Sequence, residues 1–399
     1  MTQSSSVEII STLTDSLRAL APDALQEATQ NDPKFALAYC MMAKAHDNLY
    51  YDRVDRTPER RALGDAALNE ALRLRPDLSE VHLAMVWHLL NVRDFERAAV
   101  QVTIAAQTMS NNPDLLHLTA VIDQVQGRWE QGTAELERAA TLDPRNPDLL
   151  NDLAFTYLCL RRYRDNERIL DRLIELEPDQ PIFRLRKAAS TFYEKADVKS
   201  ARAACESISA SMKDDPELES YRVYLAMCAR DFAAAEEILR KNPNEEIFSD
   251  YALVPRRIVA LQFEFVQGNR PTMEEFGTAR EQLNRKVEAD PTDPYLMVVL
   301  ALTDVALGRT EEGIQEGRRA MEMRPISEDA GEGPTIATLF AWVCAWANQP
   351  DLAFEQLNIV IQMPNQLLNY GDLKTNPGWD PLRKDPRFEK LLAELAPRD

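Results

Sequence analysis

The chain has 399 residues, 12 glycines and a net charge of −19. Such an acidic chain repels phosphate backbones and carries no basic stripe, so a nucleic-acid partner is not expected. The longest uncharged apolar stretch, residues 336–347, is too short to cross a bilayer, which argues against membrane insertion. Ala, Leu, Glu and Arg dominate while period-two runs of Val, Ile and Thr are absent, so an all-α chain without a sheet is predicted.

In chain order, Met1-Thr2-Gln3-Ser4-Ser5-Ser6 has neither the positive charge nor the apolar run of a signal peptide, so a cytoplasmic location is expected. Val7 to Leu20 reads as a degenerate helix capping the N-terminal end. Prolines then set the rhythm. Pro113, Pro147 and Pro181 fall on a 34-residue period, and the linkers 143–147, 177–181 and 290–294 share an acidic residue before proline. Proline fits a first helical turn and pushes its predecessor out of the helix, so each linker marks a boundary. A period in this range marks stacked helical hairpins.

Between Pro147 and Pro178, Leu150, Leu153, Ala154 and Tyr157 line one face of a first helix, and Ile169, Leu170, Leu173 and Leu176 line a second. Gly127, Gly268 and Gly308 stand at the turns between paired helices, where a left-handed residue ends the first helix. About nine hairpins are predicted, with first helices beginning near Pro33, Pro76, Pro113, Pro147, Pro181, Pro216, Ile247, Pro294 and Pro334. Insertions at 48–58, 242–255 and 326–334 break the period and map to loops. The apolar helix 336–347 needs cover on several sides, and Trp379, Leu382, Phe388, Leu391 and Leu392 are its candidate lid, with Asp380 and Asp385 as caps. The expected divisions are an N-terminal array over 1–241, an irregular array over 242–376 and a capping helix over 377–399.

No catalytic chemistry emerges. His82 and His88 are six apart, on different helix faces, and His46 and His117 lack ligand-spaced neighbours. No phosphate loop, dinucleotide fingerprint or nucleophile elbow occurs. Cys40, Cys159, Cys205, Cys228 and Cys344 are scattered singly, as buried thiols in a reducing compartment are. No metal, no cofactor and no enzyme activity are expected. A basic stretch, Arg161, Arg162, Arg164, Arg186 and Lys187, reads either as a solvated edge or as a dock for an acidic peptide or phosphate.

Leu153-Ala154, Tyr157, Leu170 and Pro178, and before them Ala120, Gly127, Leu136, Ala139 and Pro144, resemble the tetratricopeptide repeat family at its signature spacings. Residues 83–163 and the ending Trp379 to Phe388 also resemble the repeat regions that follow serine/threonine kinase, nucleotide cyclase or winged-helix domains in bacterial signalling proteins. The resemblance implies a right-handed superhelical α-solenoid, capped at both ends, whose first helices line a concave groove. Its lining here is expected to include His117, Val121 and Gln124, then Asn151, Phe155 and Leu158, then Leu185, Ala189 and Phe192, with core packing as the alternative for Phe155, Leu185 and Phe192. The implied role is a non-catalytic scaffold binding a protein or peptide segment. The alternative is a small-ligand sensory module near Tyr50, Tyr51 or Trp87.

Overall fold

The computed structural model describes residues 25–51, 57–208, 215–242, 244–249 and 252–397. The Val7–Leu20 helix, residues 52–56 of the 48–58 insertion and the side chain of Tyr51 lie outside these residues.

The protein is an all-α solenoid of helical hairpins. Among the described residues nine pairs follow one another: Ala36–Tyr51 with Pro58–Leu74, Ser79–Asn91 with Phe95–Met109, Pro113–Val125 with Trp129–Leu142, Pro147–Cys159 with Tyr163–Leu176, Ile182–Lys195 with Val198–Ile208, Pro216–Cys228 with Phe232–Lys241, Arg256–Val266 with Met273–Ala289, Pro294–Ala306 with Thr310–Met323, and Gly333–Trp346 with Pro350–Val360. They are numbered one to nine below. Polar caps start several first helices ahead of a proline. Asn146 accepts from the N–H groups of Asp148 and Leu149, Asp215 from Leu218, and Asp293 from Tyr295 and Leu296.

The turn inside each hairpin from the second to the ninth carries one left-handed residue. Gly127, Gly268 and Gly308 take this role as expected, at φ 78°, 84° and 82°. Arg93, Arg161, Ala196, Arg230 and Asn348 take it elsewhere, at φ 55–65°. A side chain in that region costs roughly 1–2 kcal/mol, so five turns hold their shape against a local strain.

The expectation of a chain without strands fails. Residues 246–255 form an antiparallel hairpin, β1 (Glu246–Ser249) and β2 (Ala252–Pro255), paired from Glu246 opposite Pro255 to Ser249 opposite Ala252. The first helix of hairpin seven therefore starts at Arg256 and not near Ile247. Each strand is four residues long, too short for alternation to stand out in the sequence. The alternation is nonetheless present: Ile247, Ala252 and Val254 are buried, while Phe248 and Leu253 are 38% and 44% exposed.

The contacts group the chain into two compact units. Unit 1 comprises residues 1–123 and 130–144, and unit 2 comprises 124–129 and 145–399. In unit 1, Val86, Leu89, Ala98, Leu118 and Ile122 form one apolar cluster. In unit 2, one large cluster runs from Val223 to Leu391, continuous across residues 241–242 and 376–377. Helices Pro294–Ala306 and Gly333–Trp346 are buried on nearly every side. The lid is the one the sequence suggests. Trp379, Leu382, Phe388 and Leu391 join this cluster, Trp379 stacks on Trp342 at 5.8 Å, and Trp346 Nε1 donates to Gly378 O at 3.2 Å. Asp385 caps the last helix, whereas Asp380 sits inside a 3-10 turn, Pro377–Leu382, and does not cap.

Small residues set the helix separation. A Cβ on Gly313 meets Ala301 O and Val305 Cγ2, both at 2.6 Å, whereas one on Gly268 meets nothing within 4 Å. Gly313→Ala should therefore cost about 1–3 kcal/mol through overpacking. Gly268→Ala pays only turn strain, about 1–2 kcal/mol, and relieves no packing conflict. Urea unfolding of the two variants, followed by circular dichroism, checks this; repacking around Gly313 is supported only if it shows a local loss of amide protection in helices 294–306 and 310–323 that Gly268→Ala does not.

Candidate functional site

The left-handed turn residues fix the register of the first helices. Counting back ten, six and three positions from Arg161 gives Asn151, Phe155 and Leu158; from Gly127 the same count gives His117, Val121 and Gln124. Positions so spaced share one helix face. From Ala196 the count gives Arg186, Ser190 and Tyr193, one residue beyond the set expected from Pro181. The expectation slipped because Arg161 and Ala196 are 35 positions apart, not 34, and because Pro181 stands before the helix as its N-cap. Leu185 and Phe192 are accordingly 2% and 1% exposed, packed with Ala201, Cys205, Leu218 and Leu225, and are core residues with no surface for a partner.

In unit 1 this face carries Leu83, Trp87, His117 and Val121, all half-buried. Lys44 Nζ lies 5.0 Å from the centroid of the Trp87 ring. Beside Trp87, the buried His88 ties three helices together: its Nδ1 meets Asp47 Oδ1 at 2.8 Å and its Nε2 meets Asp65 Oδ1 at 2.9 Å. Arg60 Nη1 reaches His46 Nδ1 at 3.0 Å nearby. Neutral imidazole has one N–H and the charged ring has two, so with both carboxyls ionised the two contacts take the imidazolium.

In unit 2, Gln124 Nε2 donates to Thr156 Oγ1 at 2.9 Å. Asn151 Oδ1 accepts from Arg186 Nη1 at 2.5 Å, and Arg186 Nε and Nη2 donate to Glu217 at 3.3 and 3.2 Å. Phe155 is 47% exposed, a large apolar ring on this face, and Leu158 is half-buried.

Beyond Phe155 the face is occupied by the chain itself. Residues 361–383 form a strap over the ends of the first helices of hairpins four to six: an irregular run to Asn369, the short helix Tyr370–Thr375 and the 3-10 turn Pro377–Leu382. Asn365 N–H donates to Cys159 O at 2.9 Å. The Arg161 guanidinium donates to the carbonyls of Ile361, Met363 and Leu368 at 3.2, 3.4 and 3.2 Å. Gly371 lies so close to hairpin five that a Cβ there would stand 2.2 Å from Phe192 O. Asp372, 8% exposed, accepts from Tyr224 Oη, Trp379 Nε1 and Asn376 Nδ2, each at 2.7 Å. Burial raises the Asp372 pKa, and these three donors hold it back. Arg230 grips Asp380 with both terminal nitrogens. The loop before helix 333–346 adds Ala330 N–H to Val125 O at 2.8 Å. The sequence pointed to Arg161 as part of a surface and gave no sign that it binds carbonyls two hundred positions away.

The basic stretch is thus distributed. Arg161 serves the strap, and Arg162 pairs with Asp165 at 2.8 Å while lying 4.4 Å over the Tyr157 ring. Lys187 pairs with Asp171 at 2.5 Å, Arg186 joins Asn151 and Glu217, and Arg164 is exposed. The thiols of Cys159 and Cys228 are pushed up to about 12 by burial, the reverse of a nucleophile's environment. No group of three metal-ligating side chains occurs among the described residues. Elsewhere in unit 2, Arg280 grips the buried Asp304, and burial with the neighbouring Asp304 charge raises Glu316 to about 8.

The pattern of the tetratricopeptide repeat matches residues 126–190. No curated protein matches the chain. Among solved structures, a tetratricopeptide repeat protein from Parabacteroides merdae is 14% identical, with 78% of this chain and 98% of that one covered and a TM-score of 0.44. Human IFIT1, solved as a dimer with m7Gppp-AAAA, is 14% identical over 77% of this chain and 68% of its own, TM-score 0.48. PilF of Pseudomonas aeruginosa is 18% identical over 56% and 91%, TM-score 0.40.

Two outcomes follow from the buried charges. Burial opposes a charge on His88, but Asp47 and Asp65 outweigh it and raise its pKa above 6.5; burial also raises that of Asp47. Folded unit 1 therefore keeps protons that the unfolded chain releases. The His88 contribution is complete below the ordinary histidine pKa, about 6.5, and is lost as pH rises through the raised value. Hydrogen exchange of helices 36–51 and 79–91, corrected for intrinsic rates, should show protection falling from pH 6 to 9, with the slope flattened in His88→Gln; an unchanged slope in that variant would refute the assignment. Separately, Tyr224→Phe leaves Asp372 short of one donor and should cost about 1–3 kcal/mol, read as a lower denaturation midpoint that Tyr221→Phe, whose hydroxyl is buried without a partner, does not reproduce.

Proposed function

We propose that this protein is a non-catalytic interaction scaffold that takes an extended segment of a partner protein on the exposed face of its first helices, working in bacterial signalling in the cytoplasm. One observation carries the reading: in unit 2 a segment outside the hairpins, the strap, already docks at the ends of the first helices through Arg161, Cys159 O and Tyr224. The same chemistry, main-chain hydrogen bonding by a helix end and a guanidinium with apolar anchors between, suits any irregular chain. Unit 2 continues the face with Gln124, Asn151, Phe155 and Leu158, where Phe155 is a rigid aromatic anchor. Unit 1 offers His117 and Val121 in the equivalent positions. Five unpaired cysteines, all buried, support a reducing compartment.

A second reading has its own observation. In unit 1, Trp87 Nε1 is buried with no hydrogen-bond acceptor from the protein, beneath Lys44. A small anionic ligand would supply the acceptor and meet the ammonium, which makes unit 1 the place for a sensory role.

A photoreactive residue at position 155 should give discrete protein adducts in living cells, while one at the exposed position 175 on a second helix should not. With the adduct partner purified, Phe155→Ala should weaken binding about thirtyfold, the equivalent of roughly 2 kcal/mol. Equal adduct patterns at 155 and 175, or unaltered affinity in Phe155→Ala, would end the scaffold reading at this face.

A further inference from the structure

Helix 310–323 is clamped from two sides. A Cβ on Gly313 would stand 2.6 Å from Ala301 O, and one on Gly317 would stand 2.6 Å from Phe340 Cδ2. Glu316 lies between these two glycines in the sequence, and its Oε2 is buried with no hydrogen-bond donor. Its carboxyl is instead within hydrogen-bond reach of another carboxyl, that of Asp304 on helix 294–306.

The charges around Glu316 balance without it. Asp304 is fully buried and accepts from Arg280 Nε and Nη2 at 2.5 and 2.6 Å. Arg309 Nη1 lies 3.7 Å from Asp304 Oδ1, and its Nη2 lies 3.6 Å from Glu312 Oε1. Two guanidinium groups thus meet two carboxylates. Helix 333–346, on the other side, carries no charged side chain, and its Cys344 thiol, pushed up to about 12 by burial, stays neutral. An ionised Glu316 would add a third carboxylate, half-buried and against Asp304. Two like charges that close oppose each other's ionisation. A protonated carboxyl instead donates to its neighbour and gives the orphaned oxygen a partner.

We propose that Glu316 holds a proton in the folded protein and donates it to Asp304, which makes the joint between hairpins seven and eight a pH-sensitive fastening. Hairpin seven takes part through Arg280, which grips the same carboxylate that Glu316 faces. Opening the joint exposes Glu316 to water, where a glutamate ionises near about 4.3. In the closed joint, burial and then the Asp304 charge push it up to about 8. Between these two values the closed joint holds one proton more than the open one. The stabilisation is therefore complete at acid pH, falls as pH rises through the neutral range and stops falling above about 8. All four histidines lie in unit 1, so no imidazole contributes to such a slope in unit 2. The buried Asp372, also raised, faces helix 216–228 instead.

Hydrogen exchange of the full-length chain, corrected for intrinsic rates, tests the joint. The opening equilibrium of helices 294–306 and 310–323 should rise about tenfold from pH 6 to 7 and level off above about pH 8. Glu316→Gln keeps the shape and a donor but has no proton to lose, so it should flatten that slope. Glu311→Gln, at an exposed position on the same helix, should leave the slope intact. In carbon-13 spectra one glutamate carboxyl should titrate near about pH 8 and be missing from Glu316→Gln. A flat profile in the unaltered protein, a slope that persists in Glu316→Gln, or glutamate carboxyls that all titrate below about pH 6 would each overturn the shared proton. No partner takes part, so failure of the scaffold reading leaves these profiles untouched.

Discussion

Two charges without ionic partners in contact, the half-buried Arg161 and the buried Asp372, govern unit 2. The Arg161 guanidinium meets three carbonyl oxygens, and the Asp372 carboxylate meets a phenol, an indole and an amide. Burying a charge is costly unless every hydrogen-bonding site is met, and neutral dipoles meet these two only in one arrangement of the strap. An ion pair tolerates sliding; a guanidinium fitted to the carbonyls of residues 361, 363 and 368 does not. The position of the C-terminal segment is thereby set more by direction than by energy, and the surface left open at Phe155 is open because the strap begins where it does.

Much of the architecture was legible because it is local. Proline after an acidic or amide cap, the glycine turns and the apolar faces recur within each hairpin, and those spacings survive in the fold at Asn146-Pro147, Gly127 and Leu153. The lid of Trp379, Leu382 and Phe388 was legible for a related reason, since an apolar helix without polar faces announces its need for cover. The β1–β2 hairpin was not legible: four-residue strands carry too little periodicity to compete with the surrounding helical pattern.

The candidate site fared unevenly. Asn151, Phe155 and Leu158 share a face as the spacing implied, but the next hairpin was read one residue out of register, and one residue rotates a helix by about 100°. That exchanged Arg186 and Tyr193 for the core residues Leu185 and Phe192. Arg161, Tyr224 and Asp372 escaped because their partners are far apart in the chain, and no periodicity records a contact of that kind. The one signal was indirect: an arginine at a turn where glycine sits more easily.

That arginine is one of three in the same conformational role. Arg93 lies over the Phe95 ring, Arg161 holds the strap and Arg230 holds Asp380. Each position trades backbone ease for a long side chain projecting from the rim of the solenoid. A drift to glycine at such a rim would relax the main chain while cutting a mooring line.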